Sequence, residues 1–140
     1  MARLVIPGRY ENLAKIAEFV RQAAAEAGLG DSAVYQVETA VDEACTNIIE
    51  HAYGGENLGE IDCTTRVTPD DLTIVLRDNG KPFKLHKIRT PNPNTPLSRR
   101  KAHGLGLYII TQWMDEVRFE AVPGNGNTIT MVKHVGKKPG

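Results

Sequence analysis

The chain has 140 residues, with 17 Lys and Arg balancing 17 Asp and Glu, and 41% of its residues are hydrophobic. That length suits one domain around one core, and the composition is that of a globular protein. A formal net charge of zero and the lack of a basic run interleaved with aromatics exclude a global field that would gather nucleic acid or anionic lipid.

Taken in chain order, Ala2 to Ile6 reads as a short strand stopped by Pro7-Gly8. Its apolar run is too short for a signal peptide, and nothing downstream approaches the roughly 20 apolar residues of a membrane span. From Tyr10 to Ala27 the apolar residues Leu13, Ile16, Ala17, Val20, Ala23, Ala24 and Ala27 recur at helical spacing, and Gly28 and Gly30 end the run. Asp31 or Ser32 is expected to cap a second helix. Val34, Val37, Ala40, Val41, Ala44, Ile48 and Ala52 form its apolar face, and Gly54-Gly55 closes it. The period then changes. Gly59 to Thr68 and Leu72 to Arg77 read as strands joined by a hairpin turn at Pro69-Asp70-Asp71. From Lys81 to His103 the chain is polar and proline-rich; so long a stretch without regular structure is usually functional or mobile. Leu105 to Met114 reads as a helix starting at glycines, and Glu116 to Val122 and Thr128 to Val135 as two more strands. Cys45 and Cys63 have neither metal-ligand spacing nor a disulfide framework, so they are expected as buried apolar residues in a reducing compartment. The outline predicts one α+β two-layer sandwich over residues 1–140, in the cytoplasm, binding neither nucleic acid nor membrane directly.

Three short segments carry the candidate chemistry. Glu43 and Asn47 lie four residues apart on one helix face, in a polar stripe with Asp42, Thr46, Glu50 and His51. The stripe could be a solvated surface. It also has the makings of a site, because a carboxamide oxygen suits Mg²⁺ and a carboxylate one turn away can take a proton from a hydroxyl. Asp78-Asn79-Gly80 could be a plain turn after a strand. Alternatively, Asp78 could accept from the exocyclic amine of adenine, with Gly80 letting the base approach the backbone. Gly104-Leu105-Gly106-Leu107 opens a helix whose bare amides favour a phosphate. It is neither a Walker A loop nor a good dinucleotide fingerprint. Arg99, Arg100, Lys101 and His103 either contact phosphates or keep an exposed loop soluble. Thr128 is either a β-former in a strand or a hydroxyl within reach of the base.

In this order the motifs resemble those of the GHKL ATPases, the Bergerat-fold group that includes gyrase, Hsp90 and histidine kinases. Glu43-Ala44-Cys45-Thr46-Asn47 looks like the N box, Asp78-Asn79-Gly80-Lys81-Pro82-Phe83 the G1 box and Gly104-Leu105-Gly106-Leu107 the G2 box. Lys81 to His103 then corresponds to the ATP lid. The stretch from Asp42 to Tyr53 is similar to the N box of anti-sigma-factor serine kinases of the RsbW type. The resemblance implies a mixed, mainly antiparallel sheet covered on one face by helices. It implies ATP and Mg²⁺ as cofactors, Glu43 as general base, Asn47 as Mg²⁺ ligand, Asp78 as adenine reader and Thr128 near adenine. Gly80, Gly104, Leu105, Gly106 and Leu107 would complete the nucleotide site. It also implies a partner switch, in which such a protein sequesters a sigma factor or similar regulator and phosphorylates a STAS-type antagonist, with a homodimer as a further expectation. Lys15 or Arg21 on the first helix would serve sigma contact. The competing reading is a non-catalytic binding module gated by ATP. Retention of both Glu43 and Asn47 favours the kinase.

Overall fold

Alternation along Glu60–Val67 and Asp71–Asp78 puts Ile61, Cys63, Thr65, Leu72, Ile74, Leu76 and Asp78 on one buried face, and the other elements assemble against that face. The computed structural model describes residues 1–82, 102–122 and 124–136. Strand β1 (Ala2–Pro7) leads through a 3₁₀ turn at Tyr10–Asn12 into helix α1 (Leu13–Ala27). Helix α2 (Asp31–Asn47) runs on into a π-helical turn at Ile48–Tyr53. Strands β2 (Glu60–Val67) and β3 (Asp71–Asp78) follow, then helix α3 (Ala102–Trp113) and strands β4 (Glu116–Val122) and β5 (Gly126–His134).

The five strands form one sheet in the order β1-β2-β3-β5-β4, every neighbouring pair antiparallel. The expected mainly antiparallel sheet is therefore antiparallel throughout its described strands. One core cluster joins the buried sheet residues with Ile16 and Val20 of α1, Val37, Val41 and Ala44 of α2, and Ile110 of α3. The helices thus cover a single face, giving the α+β two-layer sandwich. The opposite face carries the Arg3–Asp62 ion pair at 2.6 Å, and Val5 there is 40% exposed. Cys45 and Cys63 are free and buried, and burial pushes the Cys63 thiol up to about 12, so both act as small apolar residues.

Some boundaries differ from those expected. The extended N-cap of α2 is Gly30, with no side-chain bond, rather than Asp31 or Ser32. Asp31 lies in the first turn instead, where its charge meets the positive end of the helix dipole. Helix α3 begins at Ala102, ahead of the glycines. The expected lid falls almost wholly outside the described residues.

Two close backbone approaches fix the end of β3. Gly126 has φ of +78°, and a Cβ there would sit 1.8 Å from the carbonyl oxygen of Asp78. A Cβ on Gly80 would sit 2.4 Å from the carbonyl oxygen of Ala52. Replacement of Gly126 by Ala adds a left-handed backbone penalty to that clash, and should cost about 3 kcal/mol or more. Urea unfolding of Gly126→Ala against the wild type measures it.

Candidate functional site

Helix α2 presents two stripes. Its apolar stripe (Val37, Val41, Ala44 and Ile48) is committed to the core, which leaves Glu43 beside it, half-buried. Burial raises the Glu43 carboxyl above the usual range, and the charges of Asp42 and Glu50 push it further the same way. Asn47, 3% exposed, donates from Nδ2 to the Glu43 carbonyl at 2.8 Å. With Nδ2 engaged on the helix backbone, Oδ1 is the atom left to accept, and a carboxamide oxygen is a ligand a hard cation takes. No group of three His, Cys, Asp or Glu that could hold a metal occurs among the described residues.

The π-helical turn after Asn47 joins this helix to the end of β3. Lys81 N–H donates to the Ala52 carbonyl at 2.7 Å. Asn79 N–H donates to the Tyr53 hydroxyl at 3.0 Å, and that hydroxyl donates in turn to the Glu60 carbonyl. Single-turn π insertions recur at functional sites; here the wider turn brings Ala52 and Tyr53 to the segment from Asp78 to Lys81. His51, on the same turn, lies 4.0 Å from Glu50.

Asp78 is 4% exposed. Its Oδ1 accepts from Gly80 N–H at 2.8 Å and from Asn127 Nδ2 at 2.9 Å. Its Oδ2 is buried without a partner, one of two such side-chain atoms among the described residues. Desolvation raises its pKa, while the Asn127 and Gly80 donors pull it back down. A buried carboxylate with one oxygen satisfied and the other bare is incomplete by itself and suits a ligand that brings an N–H donor. The exocyclic amine of adenine is such a donor, so the residues present fit the nucleotide.

The structure does not bring Thr128 to Asp78. In the β3–β5 register Asp78 faces Asn127, while Thr128 pairs with exposed Arg77, and alternation points it to the opposite side of the sheet. Asn127, 1% exposed, takes the inward position. The sequence offered one signal for it, the alternation running back from buried Met131 and Ile129. Gly104, Leu105, Gly106 and Leu107 lie within the first two turns of α3, whose axis packs chiefly along α2. Gly104 and Leu105 are among the first four residues of that helix, whose amides have no partner within it. Their side chains, and residues Arg99 to Lys101, are outside the described residues. On α1, Arg21 is paired with Glu18 and Glu38.

The family described as "Histidine kinase-like ATPase domain" matches residues 6–133 of this chain. The chain belongs to that family. It is 31% identical over 137 residues to a serine-protein kinase RsbW of Bacillus cereus, covering 95% of this chain and 84% of that one. It is 33% identical over 119 residues to the Bacillus licheniformis protein of the same name, covering 82% and 73%. Among solved structures, the RsbU and RsbW domains of Rv1364c from Mycobacterium tuberculosis align with a TM-score of 0.62 at 17% identity. That match covers 95% of this chain and spans 32% of the mycobacterial one. The mycobacterial sensor histidine kinase MprB aligns with a TM-score of 0.56 at 14% identity, covering 95% and 97%. These structural likenesses establish the Bergerat fold, and no helix of the described residues is long and apolar enough to cross a membrane.

Asp78→Asn replaces the bare oxygen with a donor that opposes the adenine amine. ATP affinity should fall roughly 10- to 100-fold, the worth of a hydrogen bond to a charged group. The nucleotide-free melting temperature should not fall, since a buried charge is removed. Thermal melts with and without Mg-ATP separate the two effects.

Proposed function

We propose that this protein is an ATP-dependent serine/threonine protein kinase that works as a partner switch. It phosphorylates a small STAS-type antagonist and, in its other state, sequesters a sigma factor or similar regulator. The observation that carries the reading is the half-satisfied Asp78 carboxylate tied through Ala52 and Tyr53 to the helix bearing Glu43 and Asn47. The family match and the serine-protein kinase relatives, at 31–33% identity, support it.

In this reading Asp78 takes the adenine amine and Gly80 leaves room for the base. The first-turn amides of α3 at Gly104 and Leu105, which have no partner within the helix, would take phosphate oxygens, with Gly106 and Leu107 beside them. Asn47 Oδ1 would hold the metal, which when bound with the triphosphate would supply charge neutralisation at the transferring phosphoryl group. Glu43 accepts the proton of the substrate hydroxyl as its oxygen attacks the γ-phosphorus and ADP leaves. Burial suits Glu43 to that step, because a carboxylate with a raised pKa is a stronger base. The open sheet face beside edge strand β1 is the place for a second copy of the chain, and the cytoplasm is the compartment in which these partners meet.

Removing a general base costs 10²–10⁴-fold in rate, roughly, so Glu43→Ala should bind Mg-ATP and transfer almost no label from the γ-phosphate to an antagonist. ATP bound by the wild type without transfer to an unphosphorylated antagonist would instead favour a nucleotide-gated binding module. The pH profile gives a second check. Glu43 must be ionised to act, so transfer is lost as pH falls through its raised pKa, higher than for an ordinary glutamate. Asp42 contributes to that rise, so Asp42→Asn should move the acid limb to lower pH.

A further inference from the structure

Asn127 sits where two chain segments meet the Asp78 carboxylate. Its Nδ2 donates to Asp78 Oδ1 at 2.9 Å and to the Lys81 carbonyl at 2.8 Å. The Lys81 carbonyl can only accept, so it fixes the orientation of the carboxamide with Nδ2 toward it. Gly126, immediately before it, lets β5 lie against the backbone of Asp78 and Asn79. The joint therefore consumes both hydrogens of the amide nitrogen and leaves Asp78 with one bare oxygen.

We propose that Asn127 determines base selectivity: by donating to Oδ1 it keeps Asp78 a pure acceptor at Oδ2, admitting a 6-amino purine and rejecting a 6-oxo purine. This inference rests on the nucleotide site described above. An ionised carboxylate can accept but not donate, whereas a protonated one offers an O–H. Adenine presents an N–H donor at its 6-position, which complements Oδ2. Guanine and hypoxanthine present a carbonyl there, so two acceptors would face each other at a carboxylate that is itself only 4% exposed. Deep burial favours the neutral carboxyl, and the donors from Asn127 and Gly80 oppose that tendency. Without the Asn127 donor a proton on Asp78 becomes easier to hold, and a protonated Asp78 can donate to the 6-oxo group. A site built around one hydrogen-bond polarity discriminates strongly only while that polarity is held.

The variants Asn127→Thr and Asn127→Val have nearly the same shape and both suit a strand, but only threonine brings a hydroxyl donor. Dissociation constants for Mg-ATP, Mg-GTP and Mg-ITP, measured on the full chain, give the selectivity directly. The wild type should prefer ATP. Asn127→Thr should keep most of that preference, and Asn127→Val should lose it by about tenfold or more, the worth of one hydrogen bond to a charged group. Equal selectivity in the two variants would overturn the proposal. So would a valine variant that fails to fold while the threonine variant folds, since the donor would then serve stability. A wild type that binds none of the three nucleotides would overturn the ATP reading itself. A wild type that binds all three alike would overturn the selectivity inference and leave ATP binding standing.

Discussion

Burial of one carboxylate constrains the centre of this molecule. Asp78 ends β3 on the core face of the sheet, where an ionised group is costly unless donors surround it. Two donors come from the protein, the Gly80 amide just beyond it and the Asn127 carboxamide on β5, and the second oxygen is left without a partner. Supplying them requires β5 to approach the backbone of β3 so closely that only glycine fits at position 126. It also requires the chain to turn sharply after Asn79, and that turn is pinned by the end of α2. A ligand that donated to the remaining oxygen would complete the shell of a buried group, and its binding would then be coupled to stability.

The long second helix serves two purposes that pull in different directions. Its apolar stripe packs the core, so it is held rigidly, and that rigidity gives Glu43 and Asn47 a fixed spacing. Yet a straight α-helix would not deliver its last turn to the Asp78 segment. The π-helical turn at Ile48–Tyr53 makes the adjustment by shifting the path of the chain after the face bearing Glu43 and Asn47. Tyr53 then bonds two backbone groups, the Asn79 amide and the Glu60 carbonyl. A single side chain closes the gap between the helix layer and the sheet layer beside the site.

Much of this was legible in the residues. Helix α1 was marked by the spacing of Ile16, Val20, Ala23 and Ala24 and by Gly28, and β2 and β3 by their period of two. The pairing of Glu43 with Asn47 follows from four-residue spacing, and Asp78-Asn79-Gly80 stood out at a strand end. Less legible was the cap of α2, where Gly30 does without the side-chain bond expected from Asp31 or Ser32. Less legible too is the start of α3, at Ala102 rather than at the glycines, because Ala102 and His103 carry no strong cap signal and helix ends are weakly specified.

The sequence by itself determined the period of each element and the order of the three site segments, because side-chain periodicity and glycine positions are local properties. It did not determine which of Asn127 and Thr128 faces the site. That choice depends on strand register, where a slip of one residue exchanges the faces, and register is set by the core packing of Ile129 and Met131 against the helices. Nor did it reveal the π-helical turn, whose wider bonding is sustained by contacts from Gly80 and Lys81, more than 25 residues further along the chain from the turn. Both features arise only when distant segments are brought together, because their stabilising partners do not exist until the sheet has formed.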